Sequence, residues 1–344
     1  MRYCVHLLLL ALLVWPATAF SGQDNAANST KTDEQSATKG TPKQAENWNI
    51  LDDIKAGLQP SAPFEVQQDQ QPEFVRELVR VQWRPNDPID LWIIRPKAPG
   101  KVPVVLYLYS YPGDPDQFRD DGWCKRATAG GFAAVGFVSA LTGPRYAFRP
   151  LKKWFVSELP ESLGSTVHDV QLILNYLADR GDMDLDHVGM FGMGSGASIA
   201  ILAAEADPRI KALDLLDPWG DWPDWLRDSP AVPENERSIY TTPEFLKSVA
   251  PLDPIAYLPS MKARKLRVQE LLTQPDTPKS AKERIAASVP DPTELVRYTN
   301  AEEFLKAWQI TGLSGWIKRQ LRPQTQPDEQ KVGLKAPDFD SARN

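Results

Sequence analysis

The stretch Val188–Ala200, VGMFGMGSGASIA, has the residue spacing in this chain that most directly suggests chemistry. Val188-Gly189-Met190-Phe191 reads as a buried strand, Gly192 and Gly196 bracket a tight turn, and Ala197 to Ala206 reads as an Ala-rich helix. A strand that bends sharply into a helix between two glycines is the layout of a nucleophile elbow, G-x-S-x-G, whose middle residue is held in a strained conformation with its side chain exposed. The flanking glycines let the two backbones pass too close for a Cβ. The middle residue here is Gly194. It brings no attacking atom, and positive φ costs glycine almost nothing, so this bend can form and still do no covalent chemistry. Ser195 starts the helix and Ser198 lies in its first turn. Each is open to two readings, helix-start hydrogen bonding or a relocated nucleophile. A base is needed as well. The chain has three histidines, His6, His168 and His187, and none follows the bend. Without a group of pKa near 7, a serine hydroxyl stays protonated and weakly nucleophilic.

The elements that would position these groups alternate between strand and helix. EFVRELVRVQW and IDLWIIRP alternate apolar and polar residues around Pro85-Asn86-Asp87-Pro88, which predicts an antiparallel edge pair. VPVVLYLYS, residues 102–110, is the continuous apolar run of a central strand covered on both faces. A helix at about Asp116 to Ala129, a strand in FAAVGFVSA and a long amphipathic helix at about Ser165 to Arg180 lead to the bend. IKALDLLDP and KLRVQELLT supply later strands. This order predicts a mostly parallel sheet with helices on both faces. There are no internal repeats.

Composition narrows the class further. At 42% hydrophobic and 24% charged residues the chain reads as globular, and a formal net charge of −6 without a clustered basic face argues against nucleic acid as partner. In MRYCVHLLLLALLVWPATAF, Arg2 precedes an apolar run from Val5 to Trp15, and Ala17-Thr18-Ala19 closes it. That is a signal-peptide layout cleaved after Ala19, with a run too short to span a bilayer comfortably; an uncleaved anchor is the alternative. The expected domains are a signal peptide at 1–19, a polar linker at 20–47, one domain at 48–322, with a short helix from Ile50 to Leu58 near its start, and a polar tail at 323–344. Cleavage leaves Cys124 as the only thiol, so no internal disulfide is expected in the exported chain. No metal-ligand cluster, P-loop or dinucleotide glycine pattern is found, and no cofactor is expected.

MDLDHVGMFGMGSGA, together with the order of elements, resembles the α/β-hydrolase superfamily near its dienelactone-hydrolase and acyl-peptidase-like esterase branches, over about Glu73 to Arg322. The resemblance implies a mainly parallel sheet of about eight strands, with nucleophile, acid and histidine in that chain order at the strand C-termini. It makes Gly194 a vacant nucleophile position and the backbone N–H of Ser195 an oxyanion donor. It places the acid at Asp276 in LLTQPDTPKSAKERI, where a helix-cap or turn aspartate is the alternative. The region expected to hold the histidine, around Asn300, offers only Ala301, Glu302 and Glu303. His187, which begins its strand at the opposite edge, reads as structural. His168, on the helix before the bend, is left as a candidate base or a surface histidine. The loop YSYPGDPDQF occupies the place of the second oxyanion donor, so Tyr111 and Gly113 are candidate binding residues or parts of an ordinary turn. In LDPWGDWPDWLRD, Trp219 and Trp222 are candidates for stacking on a ligand or for packing beneath a lid. The expectation is an exported protein of this fold, inactive as a serine hydrolase, with its cleft open to a small-molecule ligand. The alternative is an active hydrolase of ester or amide bonds that uses Ser195 or Ser198.

Overall fold

The structure, a computed structural model, describes residues 61–84, 87–110, 115–141, 155–312 and 314–322. Nine strands form one sheet: β1 (Phe64–Gln70), β2 (Phe74–Val81), β3 (Ile89–Pro96), β4 (Val102–Leu108), β5 (Ala133–Gly136), β6 (Met183–Met193), β7 (Ile210–Leu216), β8 (Lys265–Leu271) and β9 (Glu294–Tyr298). Their order is β1-β2-β3-β5-β4-β6-β7-β8-β9. β4 to β9 run parallel, and β1, β2 and β3 extend the sheet antiparallel. The alternating β2 and β3 pair antiparallel from Phe74↔Pro96 to Val81↔Ile89 as their pattern predicts, but they are not the edge of the sheet, because β1 pairs with β2 and β5 with β3. The described residues form nine strands where about eight are expected, and β1, FEVQQDQ, carries no strand signal in its sequence. It is exposed along nearly its whole length and so shows no core-facing period.

Helices cover both faces. On one, α2 (Leu159–Arg180) and α3 (Ser195–Ala206) pack Val167, Val170, Ile173 and Ile199 against Val104, Leu106 and Met190 of the strands. On the other, α1 (Asp121–Thr128) and α9 (Gly315–Leu321) bury Trp123, Cys124, Trp316 and Ile317 against Tyr107 and Phe191. The helix expected over Asp116 to Ala129 is divided: a short 3-10 turn at Pro115–Arg119 ends where Asp120 caps α1 by accepting the N–H of Trp123 at 2.6 Å. α2 begins at Leu159 rather than Ser165, with Pro160 and Glu161 in its first turn, both favourable at a helix start. Between β7 and β8 lie α4 (Trp222–Asp228), α5 (Arg237–Tyr240) and α6 (Pro243–Val249); α7 (Lys279–Ser288) and α8 (Ala301–Thr311) follow β8 and β9. Among the described residues no helix is long and apolar enough to cross a membrane. The expected signal peptide, linker, Ile50–Leu58 helix and tail lie outside the described residues.

Candidate functional site at the elbow

β4, β6, β7 and β8 are parallel, so the ends of all four lie on one edge of the sheet, and the bend at Gly194 sits among them. Gly194 has φ 53° and ψ −119°, a conformation that strains any residue with a Cβ. Its N–H donates to the carbonyl of Leu216 at 2.9 Å, and its carbonyl accepts the N–H groups of Ala197 (3.1 Å), Ser198 (3.2 Å) and Trp219 (3.3 Å). The bend is thereby fastened to both α3 and the β7 tip. A Cβ on Gly192 would collide with the backbone of Ala197, and one on Gly196 with the carbonyl of Leu108. The glycines therefore let α3 lie close to β6 and to β4.

Ser110, two residues past β4, fills the space where a side chain on residue 194 would project. A Cβ built on Gly194 would sit 2.8 Å from the Ser110 Cβ, closer still to its Oγ, and 3.2 Å from Nε1 of Trp219. The Ser110 hydroxyl also accepts the N–H of Ser195 at 3.3 Å. Nothing in the local sequence marks this contact, which joins residues 85 apart in the chain.

The two helix-start serines are buried. Ser198 Oγ donates to the carbonyl of Trp219 at 2.6 Å and lies 3.3 Å from that of Gly194, so it braces the bend. Trp219 is 2% exposed with its ring 4.7 Å from that of Trp225. Trp222 is wholly buried, edge-on to Trp225 at 5.6 Å, and donates its Nε1 proton to the Leu252 carbonyl at 3.0 Å. The three indoles pack together in the core. Tyr111 and Gly113 lie outside the described residues.

His187 bonds Asp184 at 2.7 Å and lies seven residues up β6 from Gly194, roughly 23 Å at strand rise. His168 lies in the third turn of α2. Its neighbour Asp169 is 3.0 Å from Arg84, which also donates to the Ser165 carbonyl at 3.3 Å, so this turn is held to the β2–β3 connection. In the sheet, β3 is separated from β6 by β5 and β4. Burial pushes the His168 imidazole below its usual pKa.

No protein-family model matches the sequence, and no curated protein sequence matches it either. Solved structures do resemble it. An acetyl xylan esterase from Paenibacillus sp. R4 superposes with a TM-score of 0.60 at 18% identity, covering 82% of this chain and 96% of that one. Acetyl xylan esterase 1 from Thermoanaerobacterium sp. JW/SL YS485 gives 0.57 at 16% identity, over 78% and 92%. The Pyrococcus horikoshii acylaminoacyl peptidase gives 0.54 at 14%, over 82% of this chain and 45% of that one. The chain has the α/β-hydrolase fold. At such identities the likeness is one of fold.

Asp276, the residue the sequence resemblance implies as the acid, lies in the loop after β8. Its Oδ2 accepts from Gln274 Nε2 at 3.0 Å, its backbone carbonyl accepts from Ser229 Oγ at 2.7 Å, and burial pushes its carboxyl up. After β9, where the fold's histidine would follow, Asn300 Oδ1 accepts the N–H of Glu303 at 3.0 Å. The Glu303 carboxylate in turn accepts from the N–H and hydroxyl of Thr299 at 2.7 and 2.8 Å. Asn300 thus caps α8, and Glu303 reaches back past it to Thr299, a variant of the capping box. Glu302, the other carboxylate there, pairs with Lys306 at 2.8 Å. Two further charged residues escaped the sequence reading, Asp217 at the β7 tip and Lys282 on α7, both buried beside the Asp276 loop.

Proposed function

We propose that this is an exported α/β-hydrolase-fold protein that does not turn over esters or amides and whose cleft serves binding, with a small molecule as its ligand. One observation carries the reading: Ser110 fills the space of the missing nucleophile and holds the N–H of Ser195, the donor this fold aims at an oxyanion. The scarcity of imidazole supports it, since His187 is bonded to Asp184 and the turn bearing His168 is held to another part of the sheet. Export rests on the first nineteen residues.

The opposing reading places the nucleophile at Ser195 or Ser198 with His168 as base. Burial of both hydroxyls and the bracing role of Ser198 weigh against it. The names of the structural neighbours supply the reaction to test, release of acetate from an acetylated xylo-oligosaccharide. The wild-type chain is expected to release acetate no faster than a Ser110→Ala, Ser195→Ala, Ser198→Ala triple variant, while small acyl or glycoside ligands raise its melting temperature. Saturable turnover that disappears in the triple variant would establish the opposing reading.

A further inference from the structure

The loop after β8 is fastened by a buried pair that neither the fold nor the proposed function requires. The Asp217 carboxylate accepts the N–H of Leu271 at 2.9 Å. The Lys282 ammonium donates to the carbonyls of Leu271 at 2.5 Å and Gln274 at 2.9 Å, and stands 3.4 Å from Asp217 Oδ1. One residue, Leu271, is thus gripped at both polar groups of its backbone, by an anion just past the end of β7 and a cation from α7. Asp217 holds φ at +45°, a conformation rare for a residue with a side chain. Asp217 and Lys282 are 8% and 6% exposed. The gripped loop carries Asp276 and touches the elbow side through Thr277, whose hydroxyl is 3.4 Å from the Pro218 carbonyl.

We propose that Asp217 and Lys282 form a pH-sensitive latch on the loop 271–278, closed in mild acid and loosened as the pH rises toward 8. The charged groups acting on Asp217 are Lys282 from α7 and Glu270 from β8, itself 2.7 Å from Arg297 of β9; Lys282 also acts on Asp276 in the loop. Lys282 directs two of its three N–H groups at carbonyls, and its approach to Asp217 is long for a hydrogen bond. It therefore offsets only part of the cost of burying the carboxylate. Glu270 adds repulsion.

The sign follows from linkage. Burial pushes the Asp217 carboxyl up to about 6 when the loop is closed. An Asp exposed by opening has a pKa of about 3.9. The closed form takes up the proton more readily, so acid favours it. Between pH 8 and pH 5 these values reduce the open fraction roughly tenfold.

Hydrogen exchange of the full chain, read by mass spectrometry as protection factors corrected for the intrinsic pH dependence of exchange, tests this on the peptide spanning 271–278. Protection about tenfold greater at pH 5 than at pH 8 is expected. Asp217→Asn, which mimics the protonated acid, should show the same protection at both pH values, and Lys282→Met should lower it at both. Equal or smaller protection at pH 5 in the wild-type chain overturns the proposal, as does a tenfold difference that persists in Asp217→Asn. Should Asp217→Asn fail to fold, the wild-type protection followed from pH 4 to pH 8 decides: a single change with its midpoint near 6 is expected, and no such change overturns the proposal.

Discussion

At the scale of single residues, the elbow is an arrangement of matched volumes. Gly194 and Ser110 are complementary: one lacks a side chain and the other fills the space. Restoring the hydroxyl with Gly194→Ser should therefore produce no esterase activity. It should also destabilise the fold by about 2–4 kcal/mol, from strain at positive φ together with overpacking against Ser110. Urea unfolding checks this, and adding Ser110→Gly should recover the overpacking part but not the strain. The glycine at the bend and the missing histidine were legible in the sequence, because a motif fixes where each group must stand. Ser110 was not legible. Its role arises from β4 and β6 lying side by side, a pairing that no local pattern around Ser110 encodes.

Elements were legible where burial imposes a period. The alternation of β2 follows from its more deeply covered Val79 and Val81 face, and the unbroken apolar run of β4 from two covered faces; β3 is likewise covered on both, with Leu91 and Ile93 on one side and Trp92 and Ile94 on the other. β1 was missed because its side chains are exposed, and the start of α2 was set late because Gly164 interrupts the apolar pattern while Pro160 and Glu161 carry the start signal. The segment after β9 carries no histidine in its sequence, and in the structure Thr299, Asn300 and Glu303 are engaged in starting α8. Asn300→Ala should cost about 1 kcal/mol of stability by loss of the cap, measurable by thermal unfolding. Trp222→Phe keeps the ring packing but leaves the Leu252 carbonyl without its donor. A loss of about 1–3 kcal/mol is expected, with the affinity of any cleft ligand unchanged in a titration.

Across the whole molecule, the sheet carries a buried polar network on the face covered by α9. Arg267 of β8 grips Asp214 of β7 at 2.9 and 2.5 Å, Gln269 adds a bond to Asp214 at 2.8 Å, and Tyr298 of β9 donates to Gln269 at 2.8 Å. Arg267→Met removes one partner of a buried pair and should destabilise the fold by about 3–5 kcal/mol in chemical denaturation. His168 has the opposite linkage sign to Asp217. With its folded pKa depressed by burial, it favours the fold above its ordinary value near 6.5, and that contribution fades as the pH falls through the folded value. His168→Gln should therefore lose less stability than the wild type when thermal unfolding is compared at pH 7.5 and pH 5. The central claim, that a hydrolase sheet has kept its bend without an activated hydroxyl, is tested most directly by incubating the folded protein with a fluorophosphonate and reading its intact mass. The mass is expected to stay unchanged. A stoichiometric adduct on one serine that disappears on prior heat denaturation, and in one of Ser110→Ala, Ser195→Ala or Ser198→Ala, would contradict the account.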